Sequence, residues 1–229
     1  MLIAKFDGPE EAYGVRNEIL EKLNQDFAND NDIEIESVNE IITPNSESGS
    51  PRAIELGKSF HADIVLWAWY RPTENPNITI HIENITPHET LPLEESVLLK
   101  PVSTLAELES FTFQQQAGQE TSALISFLAG FLELQSGHYN AAIERFDDAL
   151  HNLTASPHLV ENRADIYFYR AATHLSIHNH QQAIRDFDEA IQINPQFMEA
   201  YLNRGVAFSA LGEHQSALQD FEQAVQIDP

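Results

Sequence analysis

The carboxyl-terminal part of the chain contains a near-repeat with a fixed period. HNHQQAIRDFDEAIQINP occupies residues 178–195 and GEHQSALQDFEQAVQIDP occupies residues 212–229, an offset of 34 residues. The segments before them, ADIYFYRAATHLSI (164–177) and MEAYLNRGVAFSAL (198–211), match at the same offset. Apolar residues recur at helical spacing in both segments of each copy. The period therefore predicts stacked helix-turn-helix units.

A third copy lies upstream, in ALISFLAGFLELQSGHYNAAIERFDDAL (123–150). Small residues occupy the positions where the two helices of a unit should cross, such as Gly205 and Ala217 in the last copy. The first copy has Gly130 and Ala142 there, and the middle copy has Ala171 and Ala183. We predict three repeats, at about 123–154, 157–195 and 198–229. Together they form an all-α domain over residues 121–229.

This pattern resembles the tetratricopeptide repeat (TPR). The family's series of aromatic, small, alanine and proline positions is matched by Tyr201, Gly205, Phe208, Ala217, Phe221, Ala224 and Pro229. His174 departs from the series, because it stands in an aromatic slot of the middle copy. The resemblance implies a non-catalytic adaptor for protein interaction. It also implies a groove lined by the first helices of the repeats, at Asp165, Phe168, Ala172, Leu175, Glu199, Leu202, Val206 and Ser209.

Charged residues at matching positions predict ion pairs inside the repeats. Arg170 and Arg204 occupy a slot that is usually apolar, and Asp186 and Asp220 follow sixteen residues later. We predict a pair between the two helices of each of these repeats. With those arginines used, and with no lysine after Lys100, the groove is acidic. We expect its partner to be a protein or peptide that is apolar with basic flanks.

The amino-terminal half shows a different pattern. Patterns typical of strands occur in LIAKF, DIEIESV (32–38), DIVLWAWY and NITIHIENIT. Helices are predicted over residues 10–28 and at SPRAIELGKSFHA (50–62), where Ser50 is the cap. SFTFQ (110–114) is a candidate edge strand. This order predicts a small mixed α/β domain, so the fold class is α+β. We place that domain, with a connecting segment from residue 87, at residues 1–120.

The segment at residues 52–84 resembles the α/β domain at the amino terminus of the TolB translocation protein; its sequence is RAIELGKSFHADIVLWAWYRPTENPNITIHIEN. That resemblance implies a docking or sensing role without catalysis. An alternative function is therefore a ligand-sensing module, in which the α/β domain binds a small molecule and the repeats relay its binding. Trp67 and Trp69 share one face of a strand and could stack on such a ligand, although core packing is the more common role.

The net charge of −24 disfavours nucleic acid and acidic membrane surfaces as partners. The chain has no cysteine, which excludes disulfides and thiolate metal sites, and its start shows no secretory signal. We expect a cytoplasmic protein. Stacked repeats expose an apolar face at their end unless something covers it. We therefore expect that the chain is a fragment of a longer protein or that a partner covers its end.

Catalytic and metal-binding patterns are weak. GKS at 57–59 lacks the earlier glycine of a phosphate-binding loop, because Arg52 stands in its place. His174 and His178 lie one turn apart but without a third ligand, so packing and turn roles explain them better. We predict no enzyme activity, no cofactor and no metal.

Overall fold

The computed structural model describes residues 1–6, 10–42, 49–71, 77–85, 110–116, 121–153 and 160–228. The amino-terminal elements are β1 (Leu2–Lys5), α1 (Glu10–Asp26), β2 (Glu36–Ile41), α2 (Gly49–Phe60), β3 (Ile64–Arg71), β4 (Asn77–Asn84) and β5 (Ser110–Gln116). Six helices follow, namely α3 (Ser122–Gln135), α4 (Tyr139–Leu153), α5 (Val160–Ser176), α6 (His180–Ile193), α7 (Met198–Ala210) and α8 (His214–Ile227). This architecture confirms the predicted α+β class, a small mixed α/β region followed by a helical array.

The five strands form one mixed sheet in the order β2-β1-β3-β4-β5. β1 pairs in parallel with both β2 and β3, whereas β3, β4 and β5 pair antiparallel. The two parallel pairs need crossover connections, which α1 and α2 supply. β5 lies at one edge of the sheet, so the edge strand predicted from SFTFQ is confirmed.

Helices bury both faces of the parallel part of the sheet. Leu2, Val65 and Trp67 belong to a core cluster that includes Ala53 and Leu56 of α2. Ile3 and Leu66 are paired neighbours that point to the opposite face, because side chains alternate along a strand. α1 contacts β1, and its apolar residues Val15, Ile19 and Leu23 are buried, as is Phe27 directly after the helix.

Arg16 of α1 binds the sheet where β1 and β2 lose their register. The pairing shifts from Ile3 opposite Ser37 to Lys5 opposite Ile41, which interrupts the ladder of backbone hydrogen bonds. The Arg16 guanidinium donates to the carbonyl oxygens of Ala4 at 2.9 Å, Val38 at 3.3 Å and Ile3 at 3.4 Å. A side chain thus provides donors for carbonyls at the irregular part of the sheet.

Two details of the sequence prediction are wrong. The second strand was expected over residues 32–38 but runs from Glu36 to Ile41, while Ile33 is buried outside the strand. The alternating isoleucines of residues 32–38 therefore lie before the strand, and Ile33 is buried there without being part of the sheet. Ser50 was expected to cap α2, but α2 begins at Gly49 and Ser50 lies in its first turn.

The described chain divides into two compact units. One contains the five strands, α1, α2 and α3 as far as Ala129, and the other contains α3 from Gly130 together with α4 to α8. The predicted boundary between residues 120 and 121 stays a prediction. Residues 154–159, where the first predicted repeat ends and the second begins, lie outside the described residues. In the parts of the chain that are described, no helix has both the length and the apolar character to cross a membrane.

Candidate functional site

The turns inside the three repeats share one backbone motif. Gly137, His178 and Gly212 all have positive φ, at 77°, 60° and 78°. In each turn this residue donates its N–H to the carbonyl three residues back, at 3.0 Å, as Gly212 does to Ser209. The next residue donates to the carbonyl five residues back, as Glu213 does to Phe208 at 2.9 Å. These two bonds define the Schellman motif that ends a helix at a left-handed residue.

The predicted crossing points of the helices are confirmed at the glycines. A Cβ atom built on Gly205 would lie 2.6 Å from Cε1 of Phe221, and one built on Gly130 would lie 2.8 Å from the same atom of Phe146. In these two repeats the first helix therefore lies directly against a phenylalanine ring of the second. The alanines predicted at the crossings, Ala142, Ala171, Ala183 and Ala217, are buried.

Each of the two predicted ion pairs is present. Arg204 donates from Nε to Oδ2 of Asp220 at 2.8 Å and from Nη2 to Oδ1 at 2.6 Å. Arg170 makes the same two bonds to Asp186, at 2.8 and 2.6 Å. The paired aspartate side chains are only 7% and 10% exposed. Two parallel bonds fix both the position and the plane of each guanidinium.

Each arginine has a second carboxylate partner that the sequence analysis missed. Nη1 of Arg204 donates to Oδ1 of Asp188 at 2.6 Å, and Nη1 of Arg170 donates to Oδ1 of Asp147. Asp188 and Asp147 lie in matching slots of α6 and α4, in the repeat before the arginine. The repetition of an acidic residue in this slot, continued by Glu222 in α8, was the signal that could have revealed them.

The carboxylates keep both arginines charged. Burial of the guanidinium opposes its charge, but the hydrogen bonds and charges of Asp186 and Asp147 outweigh burial and raise the pKa of Arg170. Asp220 and Asp188 raise the pKa of Arg204 against the same burial. Tyr167 and Tyr201 lie under the two guanidinium groups, with 5.4 Å from each Cζ to its ring centre. Both guanidinium groups are therefore held by contacts within the helical array.

Asp165 and Glu199 form an acidic pair at matching positions of α5 and α7. Both side chains are half-buried. Burial, and to a lesser extent the charge of Glu199, raises the pKa of the Asp165 carboxyl to about 7. A cation beside such a carboxyl group stabilises its charged form, because it replaces the proton and neutralises the acidic pair.

The other predicted groove residues differ in exposure. Leu202 and Ser209 of α7 are half-buried, so they lie at an accessible surface. Phe168 and Leu175 of α5 are only 1% and 0% exposed. Phe168 packs in an aromatic cluster, with ring centres 4.9 Å from Phe197 and 5.9 Å from Phe187. Ala172 and Val206 are also buried, at 7% and 8% exposed. The accessible part of the predicted surface is therefore formed mainly by Asp165, Glu199, Leu202 and Ser209.

Trp67 is part of the core of the α/β unit. It is 2% exposed, stacks on the His81 ring at 4.3 Å between ring centres, and donates from Nε1 to Glu83 at 3.2 Å. Glu83 is itself 2% exposed. Trp67 thus offers no open face to a ligand, and the Trp69 side chain lies outside the described residues.

The histidines of the middle repeat have structural roles. His178 is the left-handed residue of its turn, in the position that Gly212 occupies in the last repeat, which agrees with its predicted turn role. Burial lowers the pKa of His174, which occupies the aromatic slot, and so favours its neutral form. The His178 and His180 rings meet edge to face with 5.9 Å between their centres.

Comparison with known proteins identifies two of the repeats. Residues 164–197 and 199–229 match the Tetratricopeptide repeat family, which confirms the predicted repeat resemblance for this part of the chain, while the predicted bounds of the repeats stay predictions. The match does not extend to residues 1–163, so the likeness of the amino-terminal half to the TolB-type domain stays a prediction. No curated protein matches the chain.

Several solved structures are similar to the helical array. The MamA crystal structure is 26% identical with a TM-score of 0.43, and the alignment covers 47% of this chain and 59% of MamA. The chain thus spans less than two thirds of the length of MamA. The Arabidopsis OM64 TPR domain is 27% identical with a TM-score of 0.43, covering 47% and 84% of the two chains. The TPR2B domain of yeast Sti1, solved as a pHsp70 complex, is 26% identical with a TM-score of 0.42, covering 48% and 82%.

Proposed function

We propose that the helical array is a protein-interaction adaptor that binds a peptide or protein segment across the face of α5 and α7. The binding surface comprises Asp165, Glu199, Leu202 and Ser209, with Val206 at its edge. Tetratricopeptide repeats stack into extended surfaces suited to binding other chains rather than to catalysis. The repeat match to residues 164–229 supports this class of function.

The charge of this surface favours a partner that is apolar with basic flanks. The observation that carries the proposal is the pairing of Asp165 with Glu199, where burial first, and then repulsion between the two carboxyl groups, raises the pKa of Asp165 to about 7. A lysine or arginine side chain placed between them would relieve this repulsion. Leu202 offers an apolar contact beside the pair. The net charge of −24 adds a long-range attraction for basic segments.

An acidic tail is a poor occupant of the same surface. Arg170 and Arg204 are the arginines at matching slots of α5 and α7, and each is held by two carboxylates. A carboxylate ligand would have to break these bonds and approach the acidic pair. The ligand-sensing alternative has no support from Trp67, because its ring is buried in the core.

A binding experiment with matched peptides tests the proposal. We would measure fluorescence polarisation of the full chain with a leucine-rich helical peptide flanked by lysines, and with the same peptide flanked by glutamates. The lysine peptide should bind more tightly, and its affinity should fall as salt rises from 50 to about 500 mM, because exposed charges are screened. Preference for the glutamate peptide contradicts the proposal.

A pair of variants separates a local effect from an effect of net charge. Asp165→Asn combined with Glu199→Gln should weaken the lysine peptide by about tenfold or more, given roughly 1.4 kcal/mol per factor of ten. Glu18→Gln combined with Glu34→Gln removes two exposed carboxylates from the α/β unit and should change affinity little. Equal losses in both double variants would show that only overall charge matters.

A further inference from the structure

The strand β2 forms one edge of the sheet, and its outer side is open to solvent. β1 pairs with β2 on one side, and no strand in the described part of the chain pairs with it on the other. Ser37, Asn39 and Ile41 of β2 are exposed, the isoleucine by 39%. An edge strand of this kind presents backbone groups that a further strand can bind.

The hydrogen bonds of β2 show which of its backbone groups face outward. Glu36 donates its N–H to the carbonyl oxygen of Met1 at 2.9 Å, so its backbone groups point toward β1. The carbonyl oxygen of Val38 also lies on that side, because it accepts from the arginine of α1 that binds two carbonyls of β1. Successive peptide groups of a strand point in opposite directions. The N–H and C=O groups of Ser37 and Asn39 therefore point away from β1.

The two faces of this edge differ in chemistry. Val38 packs against the core cluster that contains residues of α2. Glu36 and Glu40 lie on the same face as Val38, because side chains alternate along a strand. Glu40 accepts from Nε of Arg52 in α2 at 2.8 Å, which agrees with this placement. Ile41 lies on the opposite face. A strand added beside β2 would therefore meet carboxylates on one face and an isoleucine on the other.

We propose that the outer edge of β2 binds an extended segment of a second protein in which basic and apolar residues alternate. The segment adds a strand to the sheet and pairs with the backbone of Ser37 and Asn39. Its basic side chains lie beside Glu36 and Glu40, and its apolar side chains lie beside Ile41. Opposite charges at neighbouring positions of two strands stabilise their pairing. This edge shares no residue with the acidic pair of α5 and α7.

The charge of the chain argues against a second copy as the occupant. Its 12 lysine and arginine residues all lie at least six positions apart, so no segment of this sequence alternates basic and apolar residues. Antiparallel pairing of two β2 strands about Val38 would place Glu36 of each copy opposite Glu40 of the other. Like charges directly opposite each other destabilise a pair of strands. A basic segment of a different protein fits this edge without that repulsion.

A short labelled peptide in which lysine alternates with valine is the probe, and its binding to the full chain is measured by fluorescence polarisation. A control peptide has the same residues with all lysines before all valines. The alternating peptide should bind at least about tenfold more tightly, because only its pattern matches both faces of the edge. Equal affinities for the two peptides overturn the proposal.

Methylation of the peptide backbone tests whether a strand is added. In one version the nitrogens of the valines are methylated, and in the other those of the lysines. Because alternate N–H groups of a strand point to opposite sides, only one of these sets faces β2. One version should therefore lose binding while the other keeps it. Loss in both versions, or retention in both, overturns the pairing with the β2 backbone.

Variants of the chain locate the peptide on this edge. Ser37→Pro removes an outward N–H at an edge position, where proline is tolerated, and should abolish binding. Ser37→Ala keeps the N–H and should bind like the parent. Glu36→Lys provides a second measurement that does not alter the backbone. It should weaken the lysine peptide by up to about fivefold and tighten a matching glutamate–valine peptide by a similar factor. Unchanged binding in Ser37→Pro, or an unchanged preference in Glu36→Lys, overturns the proposal.

Two further measurements distinguish this edge from other occupants and surfaces. Asp165→Asn combined with Glu199→Gln should leave binding of the alternating peptide unchanged. A loss in that double variant would place the peptide on the surface of α5 and α7 and overturn the proposal. Sedimentation of the full chain should show no dimer that depends on this edge. A dimer that Ser37→Pro dissociates would make a second copy the occupant and would overturn it as well.

Discussion

Arg204 and Asp220 bind each other through two parallel hydrogen bonds between the first and second helices of the last repeat. Nε and Nη2 of the arginine lie 2.8 and 2.6 Å from the two carboxylate oxygens. The arginine side chain is 18% exposed and the aspartate side chain 7%. Because water reaches these groups poorly, neither charge is well solvated without the other.

Arg204→Met should destabilise the chain by about 3–5 kcal/mol, because it leaves Asp220 buried without its partner. Chemical denaturation followed by circular dichroism measures the change. Arg52→Met is the matched control, since Arg52 is 45% exposed and pairs with Glu40 and Glu55 at the surface. That substitution should shift the unfolding transition far less, because an exposed ion pair contributes little to stability. A variant at Arg204 that unfolds at the same denaturant concentration as the parent would contradict the buried pairing.

His178→Gly should stabilise the chain by about 1 kcal/mol. His178 has a φ of 60°, a left-handed conformation that costs a residue with a side chain roughly 1–2 kcal/mol. Glycine removes this backbone strain, but it also increases the conformational entropy of the unfolded chain, which offsets part of the gain in stability. The reverse change, Gly212→Ala, places a side chain at a φ of 78° and should destabilise by about 1 kcal/mol. The melting temperatures should therefore move in opposite directions.

Gly205→Val should destabilise the chain by several kcal/mol, because even its Cβ would lie 2.6 Å from the Phe221 ring and the two helices would have to separate. Gly14→Ala provides the comparison. A Cβ on Gly14, in the helix α1, meets nothing within 4 Å. That change should stabilise by about 0.5–1 kcal/mol through helix propensity. Thermal melts of both variants would show whether close contact or propensity dominates at each position.

Asp165→Asn should change the pH dependence of stability. Burial and Glu199 raise the pKa of Asp165 from 3.8 to about 7 in the folded chain. Between these values the folded state holds a proton that the unfolded state has lost, so this carboxyl lowers stability as pH rises from about 4 to about 7. The asparagine variant lacks this titration. Its free energy of unfolding should exceed that of the parent by roughly 1–4 kcal/mol at pH 8 and by little at pH 4.

Denaturation curves at pH 4, 6 and 8 check this expectation. Glu189→Gln, which alters an exposed carboxylate of α6, is the control and should give curves parallel to those of the parent. A constant difference between Asp165→Asn and the parent at all three pH values would mean that Asp165 titrates normally.

The repeat was predictable from sequence because its constraints are local and recur at a fixed offset. Glycine or alanine at the helix crossings and a left-handed residue in each turn are needed wherever two helices pack in this way. The pairs of Arg170 with Asp186 and of Arg204 with Asp220 could be found for the same reason. His178 shows that the offset identifies a turn position even when the residue there is not glycine.

Contacts between repeats were harder to predict. Asp147, in the first repeat, binds Arg170 of the second, and these two repeats do not keep the 34-residue period, because their matching residues Ala142 and Ala183 lie 41 residues apart. The burial of Phe168 was missed because a resemblance to a family assigns a residue to a face without saying how much of that face is covered. The start of β2 was misplaced because Ile33 and Ile35 alternate like a strand before the pairing with β1 begins.

The guanidinium of Arg204 binds one carboxylate of the preceding helix, α6, and one of the following helix, α8, so it links the separation of one helix to the stability of the other. If α8 separates, Asp220 leaves and the arginine keeps only the more exposed Asp188, so the neighbouring repeat loses stability at the same moment. Separation of α8 is then coupled to local unfolding of the preceding repeat. Amide protons in the middle of α6 and α8 should therefore exchange with solvent at similar rates, rather than in an order set by distance from the end.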